Sequence, residues 1–159
     1  KNEQVTSEEV VIKEYPRSTR WLEGEQVVGV GNLILTNERL VFLNQVIVTE
    51  EQVEKARKML EGANTSQNIE FALSLHNKNF QIPLQSLTLV KMGLHSPLPI
   101  LRFCLRIAYT SGKRRKQIKT ASFMFTIPLF KGFIQFEITT VWDWVRMIKR
   151  AVKHKQATT

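Results

Sequence analysis

The sequence predicts a mainly β domain: a bent barrel or sandwich of about seven antiparallel strands, closed at one end by a C-terminal α-helix. Three observations carry that expectation. Short runs of Leu, Ile, Val and Phe alternate with polar turns along most of the chain, as strands joined by hairpins do. One segment near residues 50–60 breaks this pattern with helical spacing and a capping signature. Near the C-terminus Val141, Val145, Ile148 and Val152 fall at i, i+4, i+7 and i+11, one face of a helix.

At 159 residues and 43% apolar content the chain suits one domain with its own core. The expected organisation is an N-terminal arm over residues 1–20, a single domain over 21–155 and a tail over 156–159. Lys1 to Ser7 form the polar part of the arm, and Glu9-Val10-Val11-Ile12-Lys13 reads as a short strand or as the arm's end. Pro16 and the polar run Arg17-Ser18-Thr19-Arg20 are expected to interrupt any element there. Trp21 and Leu22 then offer apolar cover for one end of the barrel.

Gly31-Asn32-Leu33-Ile34-Leu35 and Leu40-Val41-Phe42-Leu43 are two apolar runs joined by the turn Thr36-Asn37-Glu38-Arg39, which predicts a β-hairpin. A helix follows over roughly Glu50 to Leu60, with its surrounding insertion at 50–61. Thr49 and Gln52 fit a capping box, Glu51–Lys55 and Glu54–Lys58 fit i, i+4 pairs, and Gly62 is placed to end it. Its apolar side, Val53, Ala56 and Leu60, is narrow, so the helix is expected to lie on the sheet surface.

Asn64 to Asn68 reads as a polar loop and Ile69 to Leu75 as a half-buried strand, because apolar and polar residues alternate there. His76-Asn77-Lys78-Asn79 has turn chemistry, and Phe80 to Leu84 opens the next strand. Pro97-Leu98-Pro99 marks a loop, Leu101 to Tyr109 a strand, and Ser111-Gly112-Lys113-Arg114-Arg115-Lys116 a turn. Ile118 to Ile127 returns with Phe123, Phe125 and Ile127 on one face. Lys131-Gly132 looks like a further turn between Leu129-Phe130 and Phe133-Ile134-Gln135-Phe136. The last helix is expected from Thr139 or Thr140 to about Lys153, with Trp142 and Trp144 flanking its stripe.

The string GEQVVGVGNLILTNERLVFLN, residues 24–44, resembles the GRAM domain family at Gly31, Leu33, Thr36, Asn37, Arg39, Leu40 and Phe42. FQIPLQSLTLVKMG, residues 80–93, continues that resemblance, as do the later hairpin with its Gly-Lys turn and the Trp-bearing final helix. The likeness spans roughly Leu22 to Val152. It implies the pleckstrin-homology-like fold, in which the last helix plugs the barrel. It also implies an adaptor that binds anionic lipid or a protein-interaction scaffold. The helix at 50–60 is outside the family's basic pattern and reads as an insertion. The matching positions form the fold, so no lipid-binding residue carries over.

The formal charge of +9 is unevenly distributed. Residues 1–70 hold 12 acidic and 8 basic side chains, a net −4, whereas residues 71–159 hold 2 and 15, a net +13. No Asp or Glu lies between Phe71 and Phe136. A surface built from that half attracts a polyanion, either anionic membrane lipid or nucleic acid. Nucleic acid is disfavoured because basic and aromatic residues do not interleave as a stacking platform requires.

The sharpest candidate site is the cation cluster Lys113, Arg114, Arg115, Lys116 and Lys119 at a hairpin tip, suited to anionic headgroups. A solvated turn that serves solubility is the alternative reading. Arg146, Lys149, Arg150, Lys153 and Lys155 form a second basic set, expected on the outer face of the plug helix. Leu94 to Ile100 and Leu129 to Phe133 are apolar stretches that cover a barrel end or touch a partner.

No enzymatic role, metal or cofactor is expected. His76, His95 and His154 have no second ligand at metal spacing, and Gly29-Val30-Gly31 fails the dinucleotide fingerprint because Ile34 replaces its third Gly. Asp143 is the only aspartate, and Cys104 reads as a small core residue. The single cysteine allows no internal disulfide and points to a reducing, cytoplasmic compartment, with peripheral membrane contact where lipid is bound. No apolar run is long enough to span a bilayer. The sequence assigns no oligomeric state, and a protein partner stays open beside lipid.

Overall fold

The computed structural model describes residues 8–24, 26–95, 102–126 and 133–158. Lys1 to Ser7, Pro97-Leu98-Pro99, Ile127, Leu129-Phe130 and Lys131-Gly132 lie outside them. Three strands open the fold: β1 (Val11–Glu23), β2 (Gln26–Thr36) and β3 (Arg39–Asn44). The expected hairpin is present as β2–β3, with Leu33 opposite Phe42 and Leu35 opposite Leu40. Gly31 explains how closely they pair, since a Cβ there would lie 1.8 Å from the Leu43 carbonyl oxygen.

β1 corrects the expectation of an arm over residues 1–20, because Val11 to Arg20 belong to the sheet. Tyr15 faces Leu33 and Thr19 faces Gly31, so two extra residues of β1 bulge out between them. Pro16 sits in that bulge, where it takes no donor from the ladder. A proline therefore bends this strand without ending it.

After β3 come α1 (Glu50–Met59) and α2 (Thr65–Ser74). α1 has the predicted box, with Gln52 N donating to the Thr49 hydroxyl and Thr49 N to the Gln52 side chain. Its ion pair is Glu54–Arg57, in place of the expected i, i+4 pairs, and none of its side chains is buried. α2 overturns the strand expected at Ile69 to Leu75. Asn64 and Gln67 form a second capping box, so the supposed loop is a helix start, and Ile69 is buried against Ile34 and Val41.

β4 (Phe80–Pro83), β5 (Leu87–His95), β6 (Arg102–Ser111) and β7 (Gln117–Phe125) complete one antiparallel sheet of seven strands, ordered β4-β3-β2-β1-β7-β6-β5. The two edge strands, β4 and β5, are consecutive in the chain and joined only by the 3₁₀ turn Leu84–Ser86. Three residues rise about 6 Å in such a turn, so the sheet must curl until its edges approach. No ladder joins those edges among the described residues, and the result is an open, strongly bent sheet.

The concave side is filled by α3 (Phe133–Thr158). Val141, Val145 and Ile148 are buried as predicted, with Trp144 stacked on Phe125 at 5.5 Å between centroids, while Val152 is half-buried and Trp142 exposed. α3 starts at Phe133, where the sequence suggested a strand, and runs through the expected tail. The buried Glu137 carboxylate explains the early start: it accepts from Arg102 Nε at 2.7 Å and from the Phe103 amide, a tertiary lock that outweighs the β preference of Phe133-Ile134-Gln135-Phe136. At the other end Lys155 donates to Glu38 at 2.6 Å. This is the pleckstrin-homology-like arrangement, with a C-terminal helix capping a bent sheet. No described helix is long and apolar enough to cross a membrane.

One buried polar network ties the N-terminal residues to this frame. Arg39 donates through Nε and Nη2 to both Glu9 oxygens at 3.0 Å, and also to Glu70 and to Gln81 at 2.6 Å. Thr36 donates to Glu9 at 2.6 Å. Burial alone would raise the Glu9 carboxyl, but the bonds from Arg39 and Thr36 and the Arg39 charge outweigh it and hold it below the ordinary carboxylate value.

Candidate functional site

The β6–β7 hairpin presents the predicted cations. Its last ladder pair is Ser111 with Gln117, leaving residues 112–116 as the tip. Gly112 adopts φ +102, and a Cβ there would approach the Arg115 carbonyl oxygen to 2.5 Å, so the tight turn requires glycine. Lys113, Arg114, Arg115 and Lys116 are all exposed, and so is Lys119, opposite Tyr109 on β7. None of the five forms an ion pair with a carboxylate among the described residues. Ile118 stands between them and Lys119 with 73% of its surface in solvent.

Of the five cations, Lys119 borders a hollow of about 770 Å³. Trp21, Glu23, Lys78, Asn79, Phe80, Tyr109 and Lys119 are among the residues around it. They converge because the β1–β2 turn, the loop at 76–79 and the β6–β7 strands meet at one end of the bent sheet. Trp21 forms part of the apolar wall, as the sequence suggested, with its ring centroid 4.8 Å from Phe80. Its buried indole N–H has no acceptor among the described residues. Burial raises the Tyr109 phenol above its ordinary value, and the Glu23 carboxylate adds to the rise. The hollow is thus bordered by two lysines, Lys78 and Lys119, and one carboxylate, Glu23, over an apolar wall.

The second basic set does not join this site. Arg146 pairs with Asp143 at 2.8 Å, Lys155 with Glu38, and Lys149, Arg150 and Lys153 are exposed along α3. Cys104 is buried, and burial pushes its thiol up. Of the two apolar stretches, Leu94 is exposed and His95 buried, and residues 96–100 and 129–132 are outside the described chain.

Sequence reasoning missed the hollow and with it Lys78, Tyr109 and Glu23. Their turn and strand signals were legible, but their convergence depends on the curl of the sheet. No protein-family model matches the chain, and no curated protein does either.

Proposed function

We propose that this chain is a non-enzymatic module of the GRAM type that associates with anionic membrane surfaces through the β6–β7 tip. The observation that carries this reading is the set of five exposed cations, Lys113, Arg114, Arg115, Lys116 and Lys119, on one hairpin without carboxylate partners among the described residues. Each cation near an anionic leaflet contributes about 1 kcal/mol, and the attraction requires no shaped partner. The adjoining hollow, with Lys78 and Lys119 at its rim, gives a headgroup somewhere to sit.

Flotation with phosphatidylcholine vesicles, with and without phosphatidylserine, tests it at low salt. Binding is expected only where phosphatidylserine is present. Equal binding to both vesicle types would overturn the electrostatic reading, and so would failure to bind either. A protein-interaction scaffold would then be the better account.

A further inference from the structure

Resting on that membrane reading, we propose that Val46, Ile47 and Val48 form an apolar finger that enters the interfacial layer of the bilayer beside the cationic tip. Three consecutive β-branched aliphatic residues here face water. Ile47 is 104% exposed relative to a free residue, Val48 46% and Val46 37%, whereas Val41 and Phe42 a few residues earlier are at 0%. Exposed apolar side chains grouped in this way mark a surface that is covered in use.

The finger is held at both ends. Gln45 N donates to the Val30 carbonyl at 2.9 Å before it, and the Thr49–Gln52 capping box fixes the start of α1 after it. The three side chains are therefore presented by anchored backbone, which reduces the ordering entropy that insertion requires.

Asn79 places the finger next to the cationic site. Its Oδ1 accepts from Asn44 N at 2.6 Å, and its Nδ2 donates to the Ala72 carbonyl at 3.0 Å, so it pegs the end of β3 to the end of α2. Asn79 borders the hollow that contains Lys119, and it also borders a second hollow of about 660 Å³ walled by Val46, Ile47 and the exposed Leu75. Lys78 and Lys119 thus flank Asn79 in one hollow and the aliphatic residues flank it in the other, the combination that suits a charged interface over hydrocarbon. Glu50 and Glu51 follow at once in the first turn of α1 and resist approach to anionic lipid. Insertion is thereby limited to the three residues at headgroup depth.

A salt series with a site-specific probe tests this. Cys104 is fully buried, so Ile47→Cys supplies one reactive thiol for an environment-sensitive fluorophore, and Thr158→Cys on the last turn of α3 supplies the control. Vesicles of phosphatidylcholine with phosphatidylserine should shift the Ile47 probe to the blue and leave the control unchanged. The triple variant Val46→Ser, Ile47→Ser, Val48→Ser should keep the wild-type thermal midpoint yet lose about tenfold or more in partitioning, since each removed methylene weakens transfer from water. That loss should persist at about 1 M salt, where the Debye length is about 3 Å and the tip contributes little.

A triple variant that binds like wild type at every salt concentration, with no probe shift, overturns the finger and leaves the tip standing. Wild type that ignores anionic vesicles at low salt overturns both. A blue shift that grows with protein concentration without vesicles assigns the finger to contact between copies of the chain and overturns its membrane role.

Discussion

Replacing Glu9 with Gln removes one negative charge from the Arg39 network and leaves its shape almost unchanged. Both Glu9 oxygens accept from Arg39 at 3.0 Å, and both side chains are more than nine-tenths buried, at 6% and 9% exposure. Breaking a buried pair by deleting one partner costs about 3–5 kcal/mol. The low end applies, because Glu70 and Gln81 still reach the Arg39 guanidinium. A loss of about 3 kcal/mol lowers the thermal midpoint of a chain this size by roughly 6–12 °C.

The pH dependence separates charge from shape. The folded Glu9 carboxyl lies below its ordinary value of 4.5, so its contribution is complete above that value and disappears as pH falls through the depressed one. Urea unfolding of wild type and Glu9→Gln at a series of pH values should show a gap of about 3 kcal/mol at neutral pH that closes in acid, below about pH 4.5. Comparing the two proteins isolates Glu9 from the other carboxylates. A gap under about 1 kcal/mol at pH 7, or one equally wide in acid, would refute the assignment.

Three further outcomes follow from the packing. Ile148→Asp places an unpaired charge among fully buried neighbours of α3 and should destabilise the protein by about 4 kcal/mol or more in urea unfolding. Gly31→Ala drives a methyl group into the Leu43 carbonyl and should cost about 2–3 kcal/mol by forcing β2 and β3 apart, read as a lower thermal midpoint. Deleting Glu50 to Leu60 and rejoining the chain removes a helix with no buried side chain; calorimetry should still show one cooperative transition.

Legibility in the sequence followed the range of the interactions. The β2–β3 hairpin, the Thr49 box and the stripe of Val141, Val145 and Ile148 depend on neighbours within a turn or a hairpin, and all three were readable. α2 was missed because Ile69 to Leu75 alternates like a strand, although Asn64 and Gln67 already spell a helix start. The first turns of α3 and the strand through Pro16 were hidden for another reason. One is secured by Glu137 reaching Arg102, the other by a bulge opposite β2, and both are set by partners distant in sequence. At the candidate site the same division holds. The cations of the tip stand in one short stretch, whereas the hollow beside them gathers residues from Trp21 to Ser122.

The most direct test of the membrane reading is the partition coefficient of the variant Lys113→Ser, Arg114→Ser, Arg115→Ser, Lys116→Ser on phosphatidylserine-containing vesicles, measured with its thermal midpoint. The account predicts an unchanged midpoint, because the turn is exposed and supports no core, with binding weakened by up to about 4 kcal/mol from four cations at about 1 kcal/mol each. Wild-type binding should also fall steeply as salt rises from 0.1 M to 1 M and the Debye length shrinks from about 10 Å to about 3 Å. A stable variant that partitions like wild type would contradict the account.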